Sequence, residues 1–170
     1  MGARFNMVKR TGKRANGVQP APSCYPSCKG ADLSSANLFY ANLTGADLTV
    51  ANLTVANLSN AYLSYANLSS AILSGADLTG ANLSYANLKY ANLFYADLTY
   101  ANLSGAILDS ANLTWAILTR ANLPNADLDK ANLSYAELMG ANLTDATLTG
   151  TTWNQTPCPD DTVVTSPATC

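Results

Sequence analysis

Hydrophobic and polar positions follow a five-residue pattern from Ala31 to Gly150. Ala occupies the first position and Leu the third position in all 24 consecutive units of this range. Five residues turn an α-helix by about 500°, so successive leucines would lie about 140° apart and form no stripe. On a straight strand five is an odd number, so successive leucines would face opposite sides. The pattern instead predicts a short extended Ala-x-Leu segment followed by a two-residue corner, repeated as the stacked coils of a solenoid with Ala and Leu inside.

The second position of the unit is Asn in thirteen copies and Asp in five, so the unit reads A(D/N)Lxx. These units resemble the pentapeptide repeat family over 120 of the 170 residues. The resemblance implies an all-β fold, a right-handed quadrilateral β-helix with four units per coil. It also implies that Ala31 to Ala146 and Leu33 to Leu148 point inward. Twenty-four units would then make about six coils, which span roughly 29 Å at about 4.8 Å per coil.

Charge divides the chain into three segments. Residues 1–30 contain six basic residues and no acid, whereas residues 31–150 contain nine acids and three bases. Residues 151–170 add two more acids. We therefore predict a basic leader and N-terminal cap over residues 1–30, the β-helix over 31–150 and a C-terminal cap over 151–170. The leader is rich in proline and basic residues, and we expect it to be disordered.

Aromatic residues cluster at the fifth position of the units. Tyr85, Tyr90, Tyr95 and Tyr100 end four consecutive units, so a coil of four units places them as a girdle on its four corners. With the same coil length, Trp115 and Tyr135 lie above Tyr95. Two interpretations remain open: the rings stack and shield the hydrogen bonds between coils, or they form a contact surface for a protein or glycan partner.

All four cysteines lie outside the repeats, with Cys24 and Cys28 before them and Cys158 and Cys170 after them. Six coils separate the two pairs by roughly 29 Å, so they cannot share one zinc ion within a chain. The sequence also has no histidine to complete a two-cysteine site. We predict the disulfides Cys24–Cys28 and Cys158–Cys170, each of which would staple one cap. Trp153, three residues past the last repeat, is predicted either to plug the end of the core or to lie in a surface loop.

Disulfides favour a periplasmic, lumenal or secreted protein. The first residues of the chain have the charge of a signal peptide but no apolar core after it, which leaves a cytoplasmic location open. No apolar run reaches the eighteen or so residues that a membrane-spanning helix requires. We therefore do not expect the chain to span a membrane.

The residue types in the sequence do not support an enzymatic activity. The chain lacks histidine and any Gly-rich phosphate-binding loop, so we predict neither catalytic residues nor a cofactor. Asp109, Asp127 and Asp129 fall close together, but no ligand loop surrounds them and we interpret them as solvated acids rather than as a Ca²⁺ site. The predicted function is a non-enzymatic structural or binding scaffold that mediates a protein interaction with an unknown partner. A monomer and an end-to-end or capped dimer both remain open.

An alternative function follows from the resemblance alone. Some members of the pentapeptide repeat family protect DNA gyrase from quinolones by mimicking duplex DNA. Duplex DNA of this length carries about 17 charges, whereas the repeats offer nine acids and three bases. The core here contains only Leu at the central position, where those relatives commonly interleave Phe, and no C-terminal dimerising helix follows Gly150. Direct binding of DNA is not expected either.

Overall fold

The structure is a computed structural model that describes residues 22–157 and 163–164. Units that lie 20 residues apart pair side by side in parallel, as Asn37 does with Asn57 and Asn57 with Asp77. Each pairing involves a single residue per side, because the chain turns a corner before a second residue can pair. Four units therefore complete one coil, and successive coils stack as a parallel β-helix. Within the described residues no helix is long and apolar enough to cross a membrane.

Each corner is a β-turn formed by the fourth and fifth residues of a unit. The carbonyl of Leu33 accepts a hydrogen bond from the N–H of Ala36, 3.0 Å, and this bond recurs along the rod. Every fifth residue from Gly30 to Gln155 has a φ between 48° and 72°. A positive φ at only the second central residue is the geometry of a type II turn, which favours Gly or Asn there. Many of these corner positions nevertheless hold Tyr or Trp, and several of their rings stack on one another along the rod.

Three backbone hydrogen bonds per unit join neighbouring coils. The N–H of Leu33 donates to the carbonyl of Asn52 at 2.8 Å, and the N–H of Asn52 donates back to the carbonyl of Ala31 at 2.9 Å. At the corner, the N–H of Ser35 donates to the carbonyl of Thr54 at 2.9 Å. The pattern repeats in each coil, so the backbone groups that a solenoid buries are paired with the coils above and below.

Alanine and leucine form one continuous core along the axis. The central leucines from Leu33 to Leu138 are at most 3% exposed, and the alanines between them are almost as deeply buried. Leu143 and Leu148, near the C-terminal end, are partly buried against the same core. The inward direction predicted for Ala and Leu is therefore confirmed, with looser packing in the last coil.

The ladder continues for one unit beyond each end of the regular repeats. Ser27 pairs with Asp47, and Asn132 pairs with Thr152. Residues 26–155 therefore form 26 units, or 6.5 coils. In these outer units the central position is taken by Cys28 and Trp153, each 1% exposed. Two alternatives were predicted for Trp153, and the structure agrees with the first: the indole plugs the end of the core.

The two ends are closed differently. At the N-terminal end the predicted Cys24–Cys28 disulfide is present, and the hydroxyl of Tyr25 donates to the carbonyl of Thr44 at 3.1 Å. At the C-terminal end, strand β1 (Thr156–Pro157) pairs antiparallel with strand β2 (Val163–Val164). The predicted Cys158–Cys170 disulfide lies outside the described residues, as does most of the predicted leader.

Candidate interaction surface

The asparagine and aspartate side chains at the second position serve the backbone. Asn57 Oδ1 accepts hydrogen bonds from the N–H and the hydroxyl of Ser59, at 3.0 and 2.7 Å. Asp47 does the same for Thr49, at 3.0 and 2.6 Å. The N–H of the fourth residue points away from the coil-to-coil ladder, and this side chain provides its acceptor. The role was missed at the sequence level, although short side-chain caps of this kind are a known preference of Asn and Asp in turns.

The rod has four faces, each built from every fourth unit. Face A contains the units that begin at Ala31 and at every twentieth residue after it. Faces B, C and D begin in the same way at Ala36, Ala41 and Ala46. The first-coil unit 26–30 precedes face D. These four names are used below, and each face is taken to include the corner residue that ends its units.

Charge is distributed unevenly over the faces. Faces A and C each carry a single charged residue in their regular units, Asp32 and Asp145. Face D carries both signs in nearly equal number, four acids and three bases when Lys29 is included. Face B carries three acids and one base, for a net charge of −2: Asp77, Asp97, Glu137 and Arg120. The regular units of face D have the same net charge before Lys29 is counted.

An ion pair on face D neutralises part of its charge. Lys89 Nζ lies 2.6 Å from Asp109 Oδ2. The hydrogen bond from Lys89, followed by that from Ser110, lowers the pKa of Asp109, and the same bond raises the pKa of Lys89. Asp127 and Asp129 accept hydrogen bonds from neighbouring backbone and hydroxyl groups. Among the residues described, no group of His, Cys, Asp and Glu is arranged to hold a metal ion.

The aromatic girdle is divided among four corners, which point in four directions. Tyr85 stacks on Tyr65 at the corner between faces C and D, with ring centroids 5.2 Å apart. Lys89 Nζ lies 5.0 Å from the ring centroid of Tyr90 at the corner between faces D and A. Tyr100, between faces B and C, has the guanidinium of Arg120 over its ring. These rings therefore cannot form one site, although each is exposed.

The largest aromatic stack lies at the corner between faces A and B. Trp115 stacks on Tyr95 at 5.8 Å and on Tyr135 at 4.4 Å, with ring planes within 5° of parallel in both pairs. Phe94 packs edge-on against Tyr95 at 4.5 Å. The vertical order of Tyr95, Trp115 and Tyr135 agrees with the prediction from the 20-residue coil. Whether they bind a partner remains a hypothesis.

Face B lies between this stack and the Tyr100 corner. Ile117 occupies the middle of the face, with Asp97 one coil below it and Glu137 one coil above. Arg120 NH1 donates to the hydroxyl of Tyr100 at 3.1 Å, which fixes the far edge. These contacts bring seven residues together, and we call this set the face B surface: Tyr95, Asp97, Tyr100, Trp115, Ile117, Arg120 and Glu137. The acids and Arg120 were not recognised as part of a site from the sequence, because they are about 20 residues apart in it.

The stacked coils identify the described part of the chain as a parallel β-helical solenoid without inserted domains. A family profile described as pentapeptide repeats, in eight copies, matches residues 27–54, 56–93, 86–123, 96–134 and 106–145. The chain belongs to the pentapeptide repeat family. Its fold is the right-handed β-helix of that family, as predicted.

Solved structures of the same family are similar to this chain. A pentapeptide repeat protein of the Arabidopsis thaliana thylakoid lumen is 33% identical, with a TM-score of 0.54. That match covers 56% of this chain and 66% of the other, so this chain spans just under two thirds of its length. The pentapeptide repeat protein Rfr23 of the cyanobacterium Cyanothece 51142 is 31% identical over 74% of this chain and 86% of its own, with a TM-score of 0.53.

The fluoroquinolone resistance protein QnrB1 is a more distant match. It is 20% identical over 71% of this chain and 75% of its own, with a TM-score of 0.39. At that identity the likeness concerns the fold alone. No curated protein sequence matches the chain.

Proposed function

We propose that the rod is a non-enzymatic scaffold that binds another protein through the face B surface. The observation that carries the proposal is the composition of this surface. Trp, Tyr and Arg are the residues that most often dominate the binding energy of protein interfaces, and here Trp115 lies at one corner of the face that contains Ile117, with Tyr100 and Arg120 at the other. Face B combines such residues with a net charge of −2, and its three carboxylates take no part in the Lys89–Asp109 ion pair that offsets charge on face D.

The rigidity of the surface supports binding. Trp115 is held between two parallel rings, and Tyr100 is held by the Arg120 guanidinium. Side chains that are already fixed lose little conformational entropy when a partner binds. The surface is therefore preorganised, whereas an exposed aromatic ring without neighbours would have to be ordered on binding.

The stacking favours a protein over a glycan as the partner. Sugar rings pack against open aromatic faces. Both faces of Trp115 are covered, by Tyr95 on one side and Tyr135 on the other, so mainly ring edges are available to a partner. Ring edges beside an aliphatic side chain suit the mixed apolar and polar contacts of a protein interface.

Affinity capture from the source cells with paired variants tests this proposal. Tyr95→Ser with Trp115→Ser removes the stack beside face B. The matched control, Tyr65→Ser with Tyr85→Ser, removes a more exposed stack at the corner between faces C and D. We expect the first variant to lose a protein that the wild type and the control both recover, while all three unfold at similar temperatures. Equal recovery by the three proteins would refute the proposal.

The DNA-mimic alternative has less support from the charge distribution. A mimic of duplex DNA needs closely spaced negative charge along one side. The nine acids of the regular repeats are spread over four faces, and on face B the column Asp77, Asp97 is interrupted by Ile117. We expect the purified protein to leave the supercoiling activity of DNA gyrase unchanged, in the presence and absence of a quinolone.

We also propose that the protein functions in an oxidising compartment. The Cys24–Cys28 disulfide supports this, because such bonds persist mainly in secreted, lumenal and periplasmic proteins. The similar Arabidopsis protein comes from the thylakoid lumen. Fractionation of the source cells with an antibody against the protein tests this part of the proposal, and recovery in the cytosol alone would contradict it.

A further inference from the structure

Three carboxylates on face B lack a basic partner in the described part of the chain. Asp77 and Asp97 each accept a hydrogen bond from the N–H of the threonine two residues later. Within residues 22–157 the ion pair between Lys89 and Asp109 lies on another face. The one base on face B, Arg120, directs its guanidinium to Tyr100. Face B therefore presents uncompensated negative charge beside apolar side chains.

The 21 residues that precede Pro22 carry positive charge, opposite to that of face B, and apolar side chains. They contain five basic residues and no acid: Arg4, Lys9, Arg10, Lys13 and Arg14. Apolar side chains of Phe5, Met7 and Val8 stand among these charges. A segment with apolar anchors between basic residues matches a surface on which Ile117 lies between the carboxylates of Asp97 and Glu137, with Trp115 at the adjoining corner.

The chain enters the rod below face C, which adjoins face B on one side and face D on the other. Tyr25 lies one coil below Gly45, and its hydroxyl donates to the carbonyl of Thr44. The carboxylate of Asp97 is three coils above Asn37, or about 14 Å along the rod. Twenty-one extended residues can span up to about 70 Å, so the segment reaches the whole of face B.

We propose that residues 1–21 dock in cis on face B, across the face B surface and the adjoining Asp77, with their basic side chains against Asp77, Asp97 and Glu137 and their apolar side chains against Ile117 and Trp115. The docked segment occupies the surface that a partner protein would use, and the partner must displace it. This regulatory consequence rests on the proposed function, whereas the docking itself does not.

Because residues 1–21 and face B belong to one chain, a weak contact between them is sufficient for docking. A short flexible connection gives an effective concentration on the order of millimolar. A contact with a dissociation constant of about 1 mM is therefore about half occupied within the chain. Exposed charge pairs are screened by salt, so docking is expected to weaken as the ionic strength rises. A partner of micromolar affinity displaces such a segment readily.

Photo-crosslinking in the full chain tests the docking. Phe5 is replaced by p-benzoylphenylalanine, a mixture of isotope-labelled and unlabelled protein is irradiated, and crosslinked peptides are mapped by mass spectrometry. We expect crosslinks within one chain to those residues between 95 and 139 that lie on face B or at its two bordering corners. Raising NaCl from about 0.01 M to about 1 M, which shortens the Debye length from about 30 to about 3 Å, should reduce their yield strongly.

Two variants with equal charge change provide the control. Asp77→Asn, Asp97→Asn and Glu137→Gln together remove the three negative charges of face B. Asp47→Asn, Asp127→Asn and Asp129→Asn together neutralise the same number of charges on face D. Asn is the commonest residue at the second position of the repeat, and four of the six substitutions place Asn there. Asn at position 129 keeps the side-chain oxygen that accepts from the N–H of Thr149, and Glu137 is exposed, so the coils should tolerate both variants. We expect the face B variant to lower the crosslink yield about fivefold, since the loss of three charge pairs raises the dissociation constant of a half-occupied contact about tenfold, and the face D variant to leave the yield within about twofold.

Crosslinks spread evenly over four faces, crosslinks only between copies, or equal loss in the two variants would each overturn the docking. Affinity capture of a partner has an independent readout. If the crosslinks form but no partner depends on Trp115, the docking stands and the proposed function fails. If a partner depends on Trp115 and the crosslinks do not form, the proposed function stands and the docking fails.

Discussion

The ring of Tyr85 lies over Gly105, the corner residue one coil further along the rod. A Cβ added at Gly105 would lie 2.6 Å from Tyr85 Cε1 and 2.7 Å from Cδ1. At Gly45, on the same column, an added Cβ would meet nothing within 4 Å. Both glycines have nearly the same backbone, with φ of +63° and +66°. The two positions therefore separate the cost of the left-handed conformation from the cost of displacing a ring.

Gly105→Ala should lower the free energy of unfolding more than Gly45→Ala does. Both substitutions place a side chain in the left-handed region, at about 1–2 kcal/mol. Only Gly105→Ala also forces the Tyr85 ring to move, which adds about 1–3 kcal/mol of overpacking. Urea unfolding of the two variants measures the difference. In a Tyr85→Ser background the extra cost at position 105 should disappear, and an equal cost of the two substitutions in the wild-type background would contradict the packing described.

Trp153 closes the C-terminal end of the core, and truncating it should destabilise the rod. Trp153→Ala is expected to cost about 3–5 kcal/mol, as for other large buried side chains. Trp153→Leu should cost less, because Leu fills the same central position in the regular coils. It also removes the indole N–H, which is buried without a hydrogen-bond partner in the described structure. Chemical denaturation checks the order, and a stable Trp153→Ala variant would show that the indole does not plug the core.

Asn57 tests the side-chain cap that recurs at the second position. Asn57→Ala leaves the N–H of Ser59 without its acceptor in a buried setting, and we expect a loss of about 1–3 kcal/mol. Asn57→Asp retains the acceptor oxygen and should change stability by no more than about 0.5 kcal/mol. The comparison is made by thermal and urea unfolding at neutral pH. Equal losses for Ala and Asp would mean that the cap contributes nothing.

The cysteines give a chemical prediction. If Cys158 and Cys170 are joined as Cys24 and Cys28 are, the native protein has no free thiol and the reduced, unfolded protein has four. Thiol titration with a chromogenic disulfide reagent, before and after reduction, counts them. Two free thiols in protein purified without reductant would leave the N-terminal disulfide intact and contradict the C-terminal one.

The sequence was sufficient for the core and insufficient for the surface. Ala and Leu recur without interruption, so their spacing alone indicates a common interior. The unit around Trp153 replaces Ala with Thr and Leu with Trp, so its membership of the last coil was not evident. The ring contacts of Tyr85 and Tyr95 and the four corners of the girdle follow from the 20-residue coil, but the consequence that rings facing four directions cannot form one site was overlooked. The charge of face B emerges only when the sequence is written in rows of 20, because Asp97 and Glu137 are distant along the chain.

The face B surface exists only if residues 20 apart are neighbours, and a distance measurement on the rod tests this most directly. Nitroxide labels are attached to cysteines that replace Ser34 and Thr114 in one variant and Ser34 and Asn154 in another, and pulsed electron double resonance gives the distances. These pairs lie four and six coils apart on one face, so the account predicts about 19 and about 29 Å, an increase of about 10 Å. Equal distances for the two pairs, or one broad distribution covering both, would contradict it.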